Sequence, residues 1–231
     1  MKCQIVIDES VFSYEIEGDF SYGDDEILFA EHRQNLEKSN FYEEGYTIES
    51  IFSEKELSKL KVDTLDNLKK SLRTIYREDY KDLRLDNYHK YINEDLHQKL
   101  IKKTRVLSFS DFNLDSTKLK SKIEKILNKK ISSNNQLLDR EILILRISRP
   151  NSLDINPPHR DGYLDVWKNT INLWIPIEGC NNLSSLPLIP KSHFWNEKNI
   201  YKTENKGASI NGMNYHVPGI LSYENNNLEM I

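Results

Sequence analysis

Hydrophobic and polar positions along this chain switch between helical and strand periods. Leu57, Leu60, Leu65, Leu68, Leu72 and Ile75 recur near helical spacing, which draws one apolar stripe down a helix. Ser53 and Glu56 precede the stripe at the spacing of a capping box, Ser53 as N-cap and Glu56 at N3. Together they predict a helix over 53–80. A second stripe, Leu119, Ile123, Ile126 and Leu127, predicts a helix over 116–129, capped by Asp115 or Ser116. Shorter apolar runs at 4–7, 11–16 and 46–48 predict strands. So do the longer β-branched runs at 141–148 and 170–177, the second reading Thr-Ile-Asn-Leu-Trp-Ile-Pro-Ile. No repeat, low-complexity tract or linker interrupts this order. It predicts one domain over 1–231: N-terminal strands and a helical flank over 1–140, then a strand-rich core over 140–231.

Composition narrows the setting. Lys and Arg number 32 against 36 Asp and Glu, for a net charge of -4. That balance, with dispersed cations, gives no electrostatic case for nucleic acid or an anionic membrane. No run of 18 apolar residues exists, and the N-terminal apolar run is too short for a signal peptide. Only Cys3 and Cys180 occur, so no disulfide framework is expected and a reducing, cytoplasmic location is the default.

The chemistry concentrates at residues 156–162, Asn-Pro-Pro-His-Arg-Asp-Gly. Positions i and i+2 of extended backbone point the same way, so His159 and Asp161 can converge on one metal ion. An imidazole and a carboxylate are two thirds of the facial triad of non-heme Fe(II) oxygenases. In a chain with six histidines such a pair also arises by chance, and the bland alternative is a turn in which Asp161 bonds the backbone beside Gly162. The predicted strands on both sides favour the metal. Arg146 and Arg149 could face an anion, although a surface or structural role is the simpler reading. His89 and His97 are eight residues apart, too far for a helical ligand pair.

The order of strand, Pro-x-His-x-Asp, a Trp-bearing strand, then Leu186-Pro-Leu-Ile-Pro-Lys-Ser-His193 resembles the phytanoyl-CoA dioxygenase family of Fe(II)- and 2-oxoglutarate-dependent oxygenases. Gly45-Tyr-Thr-Ile, followed by the helix opening Ser53-Glu-Lys-Glu56, adds the family's N-terminal pattern. The likeness spans about residues 41 to 193. It implies a double-stranded β-helix, or jelly roll, of cupin-like type with flanking helices. It also implies Fe(II) as metal, 2-oxoglutarate as cosubstrate, and O2 and a small molecule as substrates. His159 and Asp161 would be ligands, and His193 a structural loop residue. Trp174 reads either as a core aromatic or, by the resemblance, as a contact to 2-oxoglutarate. In related halogenases a small residue replaces the carboxylate, so Asp161 favours hydroxylation.

The likeness thins toward the C-terminus. The family supplies a distal His on a late strand and, about ten residues on, a cation for the far carboxylate of 2-oxoglutarate. Here only His193 and His216 follow Asp161, and Arg160 is the last arginine. His216 has an acceptable separation, but Asn214-Tyr-His-Val-Pro-Gly219 is not the expected strand context. Four or five strands after residue 140 are too few for an eight-stranded jelly roll. The count implies that the sequence ends before the last strands of its domain. Two other classes stay open: a truncated or catalytically inactive jelly-roll binding module, and a cupin-type sugar-modifying enzyme.

Overall fold

The computed structural model describes residues 1–30, 39–76, 80–105, 107–150, 156–181, 184–204, 207–210 and 213–231. Within them the elements begin with β1 (Lys2–Ile7), β2 (Ser10–Glu17), β3 (Phe20–Tyr22) and α1 (Asn40–Glu44). The helical stretch follows as α2 (Glu54–Tyr76), α3 (Tyr88–Tyr91), α4 (Glu94–Lys103) and α5 (Ser116–Leu127). Then come β4 (Asn134–Asn135), β5 (Arg140–Glu141), β6 (Ile200–Thr203), β7 (Ala208–Ile210), β8 (Met213–Tyr215), β9 (Ile220–Tyr223) and β10 (Asn226–Met230). The chain is mainly β, with a large mixed sheet and a few helices. Contacts divide it into two compact units. One holds Met1–Thr47, Leu153–Leu173 and Leu186–Ile231; the other holds Ile48–Ser152 and Trp174–Ser185. No helix among the described residues is long and apolar enough to cross a membrane.

The first unit is built on eight strands in the order β3-β6-β9-β10-β1-β2-β7-β8. Two tight hairpins seed it. Asp8 and Glu9 (φ 47° and 65°) join β1 to β2, and Glu224 and Asn225 (φ 50° and 62°) join β9 to β10. Two successive positive φ values match the right-handed strand twist, which is why two-residue loops adopt them. The hairpins meet along a parallel seam, with Ile5 opposite Leu228 and Ile7 opposite Met230. All other pairings in this sheet are antiparallel. Alternation decides the buried face. In β1, Cys3 is buried between exposed Lys2 and Gln4; in β10, Leu228 and Met230 are buried around exposed Glu229. One face of β1 feeds two clusters. Cys3 packs with Ile16, Ala208, Ile210 and Leu221, while Ile5 and Ile7 pack against Ile200, Ile220, Leu228 and Met230.

The second unit is helical. The Ser53 backbone N–H donates to Glu56 Oε2 at 2.8 Å and the Glu56 N–H to Ser53 Oγ at 3.3 Å, which is the expected capping box at the start of α2. Residues 77–79, at the predicted end of that helix, lie outside the described residues. Asp115 caps α5 by accepting from the Lys118 N–H at 3.0 Å. Leu68 and Leu72 of α2 are buried with Leu83, Tyr88, Ile92, Leu96 and Leu100, and Leu145 and Ile147 pack against them. Each such side chain contributes about 1.5–3 kcal/mol.

Three expectations are corrected. Helices flanking a jelly roll would bury their stripes on the sheet; the α2 stripe is instead buried in a core of its own unit. Among the described residues, the run at 141–148 pairs only through the two-residue β4–β5 ladder and a bridge from Leu143 to Leu107. The runs at 46–48 and 170–177 enter no strand, and Ile48 (89 %), Leu173 (44 %) and Trp174 (40 %) stand exposed. Apolar alternation gives a segment strand propensity, but a ladder also needs a partner edge in register. The strands of the large sheet come from residues 1–22 and 200–230.

Candidate functional site

Two prolines set up the site. Pro157 and Pro158 hold the backbone extended, and the Pro158 carbonyl accepts from the Ile220 N–H at 2.7 Å, which ties the segment to the start of β9. Arg160 continues it with φ -118° and ψ 124°. Extended backbone at Arg160 sends His159 and Asp161 to one side and the Arg160 side chain to the other. A short 3-10 turn, Asp161–Tyr163, ends the extended run.

His159 and Asp161 do converge: Nε2 of the imidazole lies 3.1 Å from Oδ1 of the carboxylate. The other ring nitrogen, Nδ1, is 2.6 Å from the Pro157 carbonyl. A carbonyl can only accept, so Nδ1 carries a proton and donates. In the neutral ring Nε2 then presents its lone pair to a carboxylate oxygen. That contact is favourable only with a cation between the two atoms, either a proton on Nε2 or a metal ion. The second oxygen of Asp161 accepts from the Asn172 amide at 2.5 Å. Both side chains reach solvent, His159 at 26 % and Asp161 at 43 % exposure.

Beside Asp161 opens a pocket of about 180 Å³, with Phe29, Trp167, Thr170, Asn172 and His193 among its walls. Gly162 lets the Phe29 ring close this wall, since a Cβ on Gly162 would stand 2.6 Å from that ring. His193 is built into the scaffold. Its Nε2–H donates to the Tyr42 carbonyl at 2.6 Å, its ring lies tilted by 40° against Phe194, and its Nδ1 faces Gly45 so closely that a Cβ there would stand 2.5 Å away. Burial pushes its pKa below the usual imidazole value. The nearby Arg160 guanidinium acts in the same direction, against the Tyr42 carbonyl and Glu44.

On the opposite side of the segment from His159 and Asp161 lies a buried charge cluster. The Arg160 side chain is 7 % exposed and pairs with Glu197 at 3 %. Arg160 also donates to the Ser192 carbonyl. Glu197 receives Lys202 through its other oxygen and the Tyr163 hydroxyl at 3.1 Å. Burial and the adjacent Glu197 carboxylate keep the Tyr163 phenol protonated far above its ordinary range, with Arg160 opposing.

His216 is exposed in the turn after β8, and no group of three His, Cys, Asp or Glu able to hold a metal occurs among the described residues. Trp174 is 40 % exposed and belongs to the second unit. In that unit Arg149 pairs with Glu94 at 2.8 Å, and Arg146 is exposed. Asn172, Arg160 and Glu197 escaped the sequence reading. One signal was there: if His159 and Asp161 share a face, Arg160 must take the opposite one, and a buried guanidinium demands a carboxylate. Comparison of the chain with protein-family models, curated proteins and solved structures gives no match.

Proposed function

We propose that His159 and Asp161 are two ligands of an Fe(II) centre in a 2-oxoglutarate-dependent oxygenase that hydroxylates a small molecule. The observation that carries this reading is the 3.1 Å approach of Nε2 to Oδ1 with the Nδ1–H already committed to Pro157. Two ligands at right angles on an ion, each about 2.1 Å from it, stand about 3.0 Å apart. Metal-bound imidazoles characteristically donate their second N–H to a carbonyl or carboxylate, which orients the ring; Pro157 serves here. The donor set therefore fits two positions of a hard-to-borderline divalent ion. The same reading carries a jelly-roll core as its finer fold and a cytoplasmic location.

Fe(II), with 2-oxoglutarate and O2, would supply the oxidising chemistry. The chain's own contributions are positional. His159 gives a neutral nitrogen whose direction is set by Pro157. Asp161 gives one anionic oxygen, while its other is restrained by Asn172. The pocket beside Asp161, with aromatic walls at Phe29 and Trp167 and polar ones at Thr170 and Asn172, suits a small partly polar molecule and excludes bulk water from one side.

Anaerobic titration with Fe(II), and with Mn(II) or Co(II) as stable substitutes, tests the metal. Saturable one-site binding lost in His159→Ala is expected. Succinate release from 2-oxoglutarate, dependent on Fe(II), tests the reaction. An intact chain that binds none of the three ions would sink the proposal and leave the inactive binding module standing.

A further inference from the structure

The buried cluster behind the H-x-D segment asks for an explanation beyond stability. A carboxylate 3 % exposed, as Glu197 is, is costly unless paired and hydrogen-bonded. Even well paired, such a group seldom stabilises a fold more than apolar side chains of the same size. What it adds is direction. Glu197 receives Arg160 on one oxygen and Lys202 with Tyr163 on the other. It is itself held by the backbone, its N–H donating to the Glu26 carbonyl at 2.8 Å and its carbonyl accepting from Gly23 at 3.0 Å. Arg160 adds the Ser192 carbonyl and the face of Trp195, 5.9 Å from its guanidinium carbon. The guanidinium is therefore clamped on several sides. Because Arg160 lies between His159 and Asp161 on extended backbone, clamping it sets the roll of that strand and hence the side on which both flanking residues emerge.

We infer that Glu197 is a positioning residue for the His159–Asp161 pair, acting through Arg160 on the opposite face of the same backbone. The inference deepens the metal-site proposal, but its geometric core stands without a metal. Loss of the Glu197 charge frees the Arg160 side chain, lets the 159–161 backbone rock, and breaks the hydrogen bond that holds the His159 ring on Pro157.

The test uses the full chain and two readouts. One is Co(II) affinity together with the visible spectrum of the bound ion. The other needs no metal: ring 15N shifts of His159 at a pH where the ring is neutral, which report the share of the Nδ1–H tautomer. Glu197→Gln is expected to lower Co(II) affinity at least tenfold, alter the Co(II) spectrum, and move the His159 shifts toward a mixture of tautomers. Ile210→Val, a core change in β7, lowers stability without touching the cluster and should leave all three within twofold of the parent chain. Should Glu197→Gln fail to fold, Tyr163→Phe removes the hydroxyl's contacts to the two Glu197 oxygens, at 3.1 and 3.4 Å, and should shift the same signals in the same direction. A folded Glu197→Gln chain with parental ring shifts overturns the inference, and so does Ile210→Val reproducing the changes. If the parent chain binds no Co(II), the metal proposal falls, while the ring shifts still decide the role of Glu197.

Discussion

Asp161→Asn separates a ligand from a scaffold residue. The change keeps shape and removes charge. In the structure the carboxylate contacts, among others, His159 at 3.1 Å and Asn172 at 2.5 Å, at 43 % exposure. Exposed pairs of this kind contribute about 0.2–1 kcal/mol each, and an amide oxygen can still accept from Asn172. The loss of folding stability should therefore stay below about 1 kcal/mol, a small shift in a urea midpoint. Metal binding responds on another scale. Disturbing a group that merely orients a ligand weakens metal affinity about 10–100-fold, and an anionic ligand replaced by a neutral one should lose at least the upper figure, or about 2.8 kcal/mol. Isothermal titration with Co(II) or Mn(II) and urea denaturation of the same preparations give both numbers. Co(II) affinity within threefold of the parent would refute the ligand role. A stability loss of several kcal/mol would show that Asp161 is structural.

How far the sequence reached depended on how local each feature is. The Ser53–Glu56 box and the Asp115 cap involve residues three apart, and both were readable. The convergence of His159 and Asp161 was readable for the same reason, because one residue's backbone conformation decides it. The strand at 170–177 failed because a ladder needs a partner, and periodicity within one segment does not reveal whether the fold supplies it. Conversely, Asn226–Met230 reads as Asn-Asn-Leu-Glu-Met, a poor strand by composition, yet it forms the seam with β1 through Leu228 and Met230. The hairpin turns at Asp8-Glu9 and Glu224-Asn225 lack the glycine that marks such turns. Glu197 lies 37 residues from Arg160, and nothing near it in sequence shows that its carboxylate is spoken for. The alternation that places His159 and Asp161 on one face did require an inward Arg160, so the need for a buried carboxylate was legible even though its identity was not.

Other perturbations test the remaining links. Leu72→Ala, at a fully buried position of the helical core, should cost about 2–5 kcal/mol in urea denaturation; a loss below 1 kcal/mol would mean that α2 does not bury this face. Ser53→Ala should cost about 1 kcal/mol and reduce far-ultraviolet helical signal, with no effect on Co(II) affinity. His193 prefers the neutral ring when folded, its pKa lying below the ordinary 6.5, so the unfolded chain takes up the proton first as pH falls. Its contribution to stability is full above pH 6.5 and lost as pH drops from there toward the folded-state pKa. His193→Gln, which can still donate to the Tyr42 carbonyl, should therefore lose less stability between pH 7.5 and 5 than the parent, and equal losses would show the ring is not the source. Gly162→Ala tests whether the turn after Asp161 is held by the aromatic wall. Gly162 has no positive φ, so alanine meets no backbone strain there; the obstacle is the Phe29 ring, 2.6 Å from the new Cβ, with Leu28 at 3.4 Å. Inserting a methyl into such a contact costs about 1–3 kcal/mol. The ring must swing outward or the turn must shift, and a shifted turn carries Asp161 away from His159. Gly162→Ala should then lower both stability and Co(II) affinity. Adding Phe29→Ala removes the obstacle, so the double variant should bind Co(II) better than Gly162→Ala alone, and the two stability losses should fall short of additive by about 0.5–3 kcal/mol. Strict additivity, with no recovery of binding, would mean that Gly162 and Phe29 do not meet as the structure places them.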